Sequence, residues 1–255
     1  MSPGITVVGS CMIDFTCFSP RLPKSGETLI GNNYEIKYGG KGANQCIVAS
    51  RLGASTAMVA SLGNDIYAQE YLKIFKKENI DASHVQIQPN QHSGIAHITV
   101  ADNGLSILNG APVIENIDLE LLKFCDIFCV NESETEAITG VEPMGSLNMQ
   151  KAIDILLDKG CNTVILTLGE RGAAYASKND RTVKLVPTTS VQPIDTTGAG
   201  DAFLGAFAYF KAYHPELSMN ECVRRACVIA TESVLKIGTH ASFPTRNDLS
   251  PDLFV

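Results

Sequence analysis

Asp195-Thr196-Thr197-Gly198-Ala199-Gly200-Asp201 is the stretch on which the reading of this chain turns. An apolar helical pattern, Ala202–Tyr213, opens directly behind it, and a strand is expected to end near Pro193-Ile194 in front of it. The two glycines let the backbone turn sharply and take away the side chains that would shield its amides. Amides gathered at the positive end of a helix make an anion site. Asp201, in the first turn, stands where the charge of a phosphoryl group would develop. A carboxylate there can take a proton from an attacking hydroxyl while the amides hold the phosphoryl group.

Outward from this turn, helical patterns alternate with short β-branched runs, which predicts one α/β domain over residues 1–255. Ile5–Val8 reads as a buried strand followed by a loop that carries Asp14. Glu27–Tyr38 reads as a half-exposed hairpin, and Thr56–Leu62 as a strand. Asp65 is placed to cap a helix that runs to Glu78. Gly94–Ala101 and the residues after Asn103-Gly104 form a second hairpin pattern. Ile127–Val130 and Thr163–Thr167 are continuous apolar runs suited to strands covered on both faces. Leu147–Lys159 between them is helical and stops at Gly160. Ala173–Ala176 with Arg181–Val186 is another hairpin, and Asn220–Leu235 a last long helix.

Of the 255 residues 45% are hydrophobic, and the net charge is −7. That balance excludes a nucleic-acid partner, since binding a phosphate backbone needs a basic face. The N-terminus lacks the pattern of a signal peptide, and no apolar run reaches the ~18 residues of a membrane span, so a soluble protein in the cytoplasm or nucleus is expected. Eight cysteines are scattered without Cys-x-x-Cys or zinc-ligand spacing and read as reduced, buried thiols.

Three further stretches carry chemistry. Gly39-Gly40-Lys41-Gly42-Ala43-Asn44-Gln45 offers close backbone approach together with the donors and acceptor of Lys41 and Asn44. Asn131-Glu132-Ser133-Glu134 follows a strand and reads either as a capping box led by Ser133 or as water-mediated magnesium ligation. Thr167-Leu168-Gly169-Glu170-Arg171-Gly172 turns after a strand. Neither a P-loop nor Gly-x-Gly-x-x-Gly is present.

Together these stretches resemble the signatures of the ribokinase-like carbohydrate kinase family, and the Gly-Gly-Lys-Gly-Ala-Asn-Gln form resembles its ribokinase branch more than fructokinase or adenosine kinase. The resemblance implies a doubly wound, mostly parallel sheet with a small β flap built from strands near 27–38 and 94–108. It implies ATP-dependent phosphorylation of D-ribose at the 5-hydroxyl, with Asp201 as base. Met12, Ile13, Asp14, Gly40, Lys41, Gly42, Ala43, Asn44 and Asp201 would bind the sugar. The nucleotide would meet Asn131, Thr167, Leu168, Gly169, Glu170, Arg171, Gly172, Gly198, Ala199, Gly200 and Asp201, with Cys227 where the family has an asparagine. Magnesium would be held through water by Glu134. Potassium would be held by Asp195, Thr197, Ser233, Lys236, Gly238 and Ser242, mostly through carbonyls. A homodimer through the flap is also implied. The pattern departs in one place: after Ile107 the chain runs straight into Asn109-Gly110-Ala111-Pro112, and roughly 50–60 residues, about two βα units of a doubly wound sheet, are absent. A weakened or inactive chain that serves as a binding or regulatory protein, and another sugar or nucleoside kinase of the family, are the competing expectations.

Overall fold

The computed structural model describes residues 4–18, 30, 33–89, 98–101, 106–110, 122–123 and 125–255; the side chains of 14–18, 34 and 98–101 are outside that description. Nine strands form one sheet: β1 (Gly4–Val8), β4 (Ser55–Gly63), β5 (Ile80–Gln88), β6 (Ile98–Ala101), β7 (Ser106–Asn109), β8 (Ile127–Asn131), β9 (Thr163–Thr167), β10 (Ala173–Ser177) and β11 (Lys184–Val186). Their order is β11-β10-β9-β8-β7-β6-β1-β4-β5. Seven point one way; β6 and β10 run against their neighbours. A separate ribbon pairs β2 (Met12–Phe18) with β3 (Asn33–Gly39), antiparallel from Met12↔Gly39 to Phe18↔Asn33. The expected loop carrying Asp14 is therefore a flap strand.

The crossovers explain the layering. Helices α1 (Lys41–Arg51) and α2 (Ile66–Lys77) step the chain from β1 to β4 to β5, while α3 (Glu132–Thr139) and α4 (Gly145–Asp158) step it from β8 to β9 in the opposite direction. Right-handed crossovers in opposite directions lie on opposite faces. Two apolar clusters follow. Ile5, Val7, Met58, Ile127 and Cys129 face α1, α2 and the long helices α5 (Ala199–Tyr213) and α6 (Met219–Ser233). Leu108, Phe128, Val130, Val164 and Leu166 face α4 on the other side. Thr6, Val8, Ala57 and Val59 point away from the first cluster, are only part-buried, and belong to neither. At the flap base, the Tyr71 hydroxyl of α2 donates to the Met12 carbonyl (3.0 Å) and reaches that of Gly39.

Two expectations are corrected. Of the range 94–108 expected in the flap, the described strands belong to the main sheet: β6 pairs antiparallel with β1 and with β7, and β7 pairs parallel with β8 through Ile107↔Ile127. Ser106–Asn109 is thus a core strand that leads into Gly110 and follows its antiparallel neighbour β6 after only four residues. The reason is geometric, since an antiparallel neighbour needs only a short turn whereas a parallel one needs a crossover of a dozen residues or more. Secondly, the segment up to Ile194 is irregular rather than a strand; the Ile194 and Asp195 amides donate to the Val234 carbonyl instead. Ala111 and Pro112, the turn at 102–105 and the stretch 19–29 lie outside the described residues.

Candidate active site

Helix α5 begins where the sequence places it. Gly198 is its N-cap at φ 82°, a left-handed conformation that a side chain would strain. The first helical bond runs from Ala202 N to Gly198 O (2.9 Å); of the amides ahead of it, that of Ala199 donates to the Thr196 carbonyl (3.2 Å) and none has a partner within the helix. No atom lies within 4 Å of where a Cβ on Gly200 would stand, which leaves that side of the turn open to a ligand.

Asp201 is buried in the first turn. Its Oδ2 accepts a hydrogen bond from Asn44 Nδ2 at 2.8 Å, and its Oδ1 one from Gln45 Nε2 at 3.0 Å. Burial raises its pKa above the usual carboxylate range, and Gln45, Asn44 and the positive field of Lys41 oppose that rise. Lys41 also acts on Glu134, buried in α3, whose pKa is likewise raised by burial. The positive field of Lys41 thus reaches both the base and the acidic residue of Asn131-Glu132-Ser133-Glu134.

That motif forms a capping box, led by Asn131 rather than Ser133. Asn131 Oδ1 accepts from Glu134 N (2.9 Å), and Glu134 Oε2 accepts from Asn131 N (2.8 Å). One Glu134 oxygen is therefore committed and Oε1 is left for water. Asp195 joins two loops: Oδ1 accepts from Thr197 N (2.9 Å) and Oδ2 from Gly238 N (2.8 Å), and these bonds lower its pKa. Ser233 and Ser242 are buried, and their hydroxyls donate to the Ala230 and Thr239 carbonyls. Among the described residues no cluster of His, Cys, Asp and Glu could hold a metal ion.

A cleft of about 410 Å³ opens beside the turn at the C-terminal ends of β8 and β9. Asn131, Thr167, Gly169, Glu170, Gly172, Ala199, Gly200 and Cys227, all expected at the nucleotide, line it. Leu168, Arg171, Gly198 and Asp201 do not: Leu168 and Asp201 are buried, and Arg171 pairs with Glu132. Its apolar half comes from Phe203, Val191, Ala230 and Val234, with the Thr188 and Thr231 hydroxyls bonded to each other at 2.8 Å. Nothing in their sequence context marks these residues. The Cys227 thiol is pushed up to about 12 by burial and is inert. Met12, Ile13 and Asp14 lie in β2, with Asp14 opposite Lys37; the Asp14 side chain is outside the description. A larger cleft of about 680 Å³ at the other end of the strands is lined by Lys178 and Lys184, which already bond Gly160 O and Asp180. It lies far from Asp201.

A buried carboxylate at a helix start, hydrogen-bonded by a sugar-type helix turn and next in sequence to the Ala199 and Gly200 that line a cleft, defines a small-molecule phosphotransferase. The chain matches the pfkB family carbohydrate kinase profile over residues 2–123 and 116–246, and it belongs to that family. It is 34% identical over 305 aligned residues to ribokinase of Mus musculus, covering 98% of this chain and 94% of that protein. Identity to ribokinase of Haemophilus influenzae is 33%, covering 97% of each. The structure of Arabidopsis thaliana ribokinase complexed with ribose and ATP superposes with a TM-score of 0.86 at 24% identity, covering 97% of each chain. Since 305 aligned positions exceed this chain's 255 residues, at least 50 positions of the mouse protein have no counterpart here.

Proposed function

We propose that the chain phosphorylates D-ribose at its 5-hydroxyl with ATP, giving ribose 5-phosphate and ADP. The observation that carries this is the Asp201 carboxylate, buried at the start of α5 and hydrogen-bonded by the Asn44-Gln45 pair of the sugar-side turn. Asp201 takes the proton of the 5-hydroxyl as that oxygen attacks the γ-phosphorus. The first-turn amides at 198–200 and the Lys41 ammonium take up charge on the phosphoryl oxygens. The names of the relatives supply ribose and ATP as the pair to try first.

A magnesium ion arriving with ATP supplies charge neutralisation at the phosphates, and Asn131 and Glu134 Oε1 would hold its water shell. Asp195, with the backbone carbonyls at Thr197, Ser233, Lys236, Gly238 and Ser242, is a donor set suited to potassium. Turnover is then expected to rise with potassium and fall when sodium replaces it; equal rates in the two salts would remove the cation from the reading. A homodimer would have to form through β2–β3 alone, because β6 and β7 are in the main sheet. Mass-spectrometric detection of ribose 5-phosphate from ribose, MgATP and the purified chain tests the whole reading. Absence of product under these conditions, with a cooperative melt, would favour a chain retained for binding rather than turnover. The observation that favours this second reading is that at least 50 aligned positions of the mouse protein have no counterpart in this chain.

A further inference from the structure

We propose that Gln45 is the positioning residue of the base: its backbone is held against α5 at Gly205, and its side-chain amide, donated to Asp201, sets the direction in which Asp201 presents its carboxylate. This rests on the kinase reading above. Gln45 and Asp201 are 2% and 5% exposed and lie 156 positions apart, so their bond is a tertiary contact and not a local turn. The two neighbours on α1 divide the carboxylate, Asn44 taking Oδ2 and Gln45 taking Oδ1. Asn44 is not fully spent there: its buried Oδ1 has no hydrogen-bond partner, an acceptor that a sugar hydroxyl would satisfy. Asn44 can therefore turn to the substrate, and Gln45 stays with the base.

Packing makes the Gln45 contact rigid. A Cβ added to Gly205 would stand 2.6 Å from the Gln45 carbonyl oxygen and 2.9 Å from Val48 Cβ, so only glycine lets α1 approach α5 this closely. Gly205 lies one turn beyond Asp201 on the same helix, so acceptor and donor are fixed by a single crossing. On its other side α1 is tied to the end of β1 by the bond from Ala43 N to Ser10 O at 3.1 Å. The electrostatics agree with this role. Burial pushes Asp201 towards its neutral, inert form, and the Gln45 bond is the largest influence opposing it. Lys41 of α1 is the titratable group whose field reaches Asp201, and the same field acts on Glu134 of α3.

Gln45→Met keeps the length of the side chain and removes the donor. Its turnover is expected to fall ~10–100-fold, with a smaller change in the KM for ribose, and the acid limb of its kcat profile to move to higher pH. Gly205→Ala, which pushes the helices apart, is expected to shift that limb in the same direction. A purely packing role would lower activity evenly across pH, and an unmoved acid limb would overturn the proposal. A thermal-melt cycle needs no turnover: Asp201→Asn is expected to raise Tm more in Gln45→Met than in the parent, because the buried charge has lost its donor. Additive Tm changes would sink the idea. If the parent makes no ribose 5-phosphate, the kinase reading fails and the melt cycle alone decides for or against Gln45. Should Gln45→Met not fold, Gln45→Asn, which keeps an amide too short to reach Oδ1, serves in its place.

Discussion

Burial favours the neutral form of Asp201, and a protonated acid cannot accept the proton of an attacking hydroxyl. Because its folded pKa is raised, the ionised form is lost earlier than for an ordinary aspartate as pH falls. Activity should accordingly decline through a pH range above that of a free carboxylate, and kcat against pH would display it. Asp201→Asn keeps the shape and removes the acceptor, so phosphoryl transfer is expected to drop ~10²–10⁴-fold while ribose-induced thermal stabilisation is retained. Near-parental turnover in that variant would assign the base elsewhere. At this scale the sequence was informative wherever chemistry demands a residue type: Asn44 bonds Asp201, and Asn131 lines one cleft with Ala199 and Gly200. It was silent on Gln45 as a partner of the base, since 156 positions separate the two, and on Phe203 and Val234, whose apolar pattern is that of any buried helix.

Secondary elements with their own punctuation were legible. Asp65 caps α2 by accepting from Ala68 N at 2.9 Å, and α4 ends two residues before Gly160. The pairing partners of β6 and β7 were not legible, because the same short alternation serves a flap hairpin and a sheet centre. What fixes β7 is the contact at its start. Asp126 Oδ2 accepts from both the amide (2.9 Å) and the hydroxyl (3.0 Å) of Ser106, and the Asp126 amide donates to the Ser106 carbonyl at 3.1 Å. This clamp aligns β7 with β8 in the register Ile107↔Ile127. Asp126→Ala is expected to cost about 1.5–3 kcal/mol, the usual worth of hydrogen bonds to a charged group. Amide hydrogen exchange at Ile107 and Leu108 should accelerate more than at Ile165 and Leu166 in β9. Uniform acceleration across the sheet would show that β7 has no separate anchor.

Over the whole molecule, the two crossover directions cover the sheet unequally. A hairpin delivers β7 to its place without a crossover, so it brings no helix to the face opposite α1 and α2. On that face Thr6, Val8, Ala57 and Val59 are part-buried and outside both apolar clusters. Each 100 Å² of apolar surface left in water forgoes about 2.5 kcal/mol at about 25 cal/mol per Å², against a domain's net stability of roughly 5–15 kcal/mol. The chain is therefore expected to melt well below a full-length relative and to bind a hydrophobic dye while folded. Val59→Thr should reduce the dye signal with little loss of Tm. A melt matching the mouse protein's, without dye binding, would show this face to be covered.

The antiparallel placement of β6 also changes the order in which the sheet can assemble. In a doubly wound sheet the central strands meet only after long crossovers have closed, and closing long loops before any contact rewards them is slow. Here β6 and β7 are joined by four residues, and a hairpin of that kind closes in about 1–10 μs. The middle of the sheet becomes the quickest part to form, a local nucleus on which β1 from one side and β8 from the other can add. A chain that has lost its central crossovers has thereby shortened the search for its own centre.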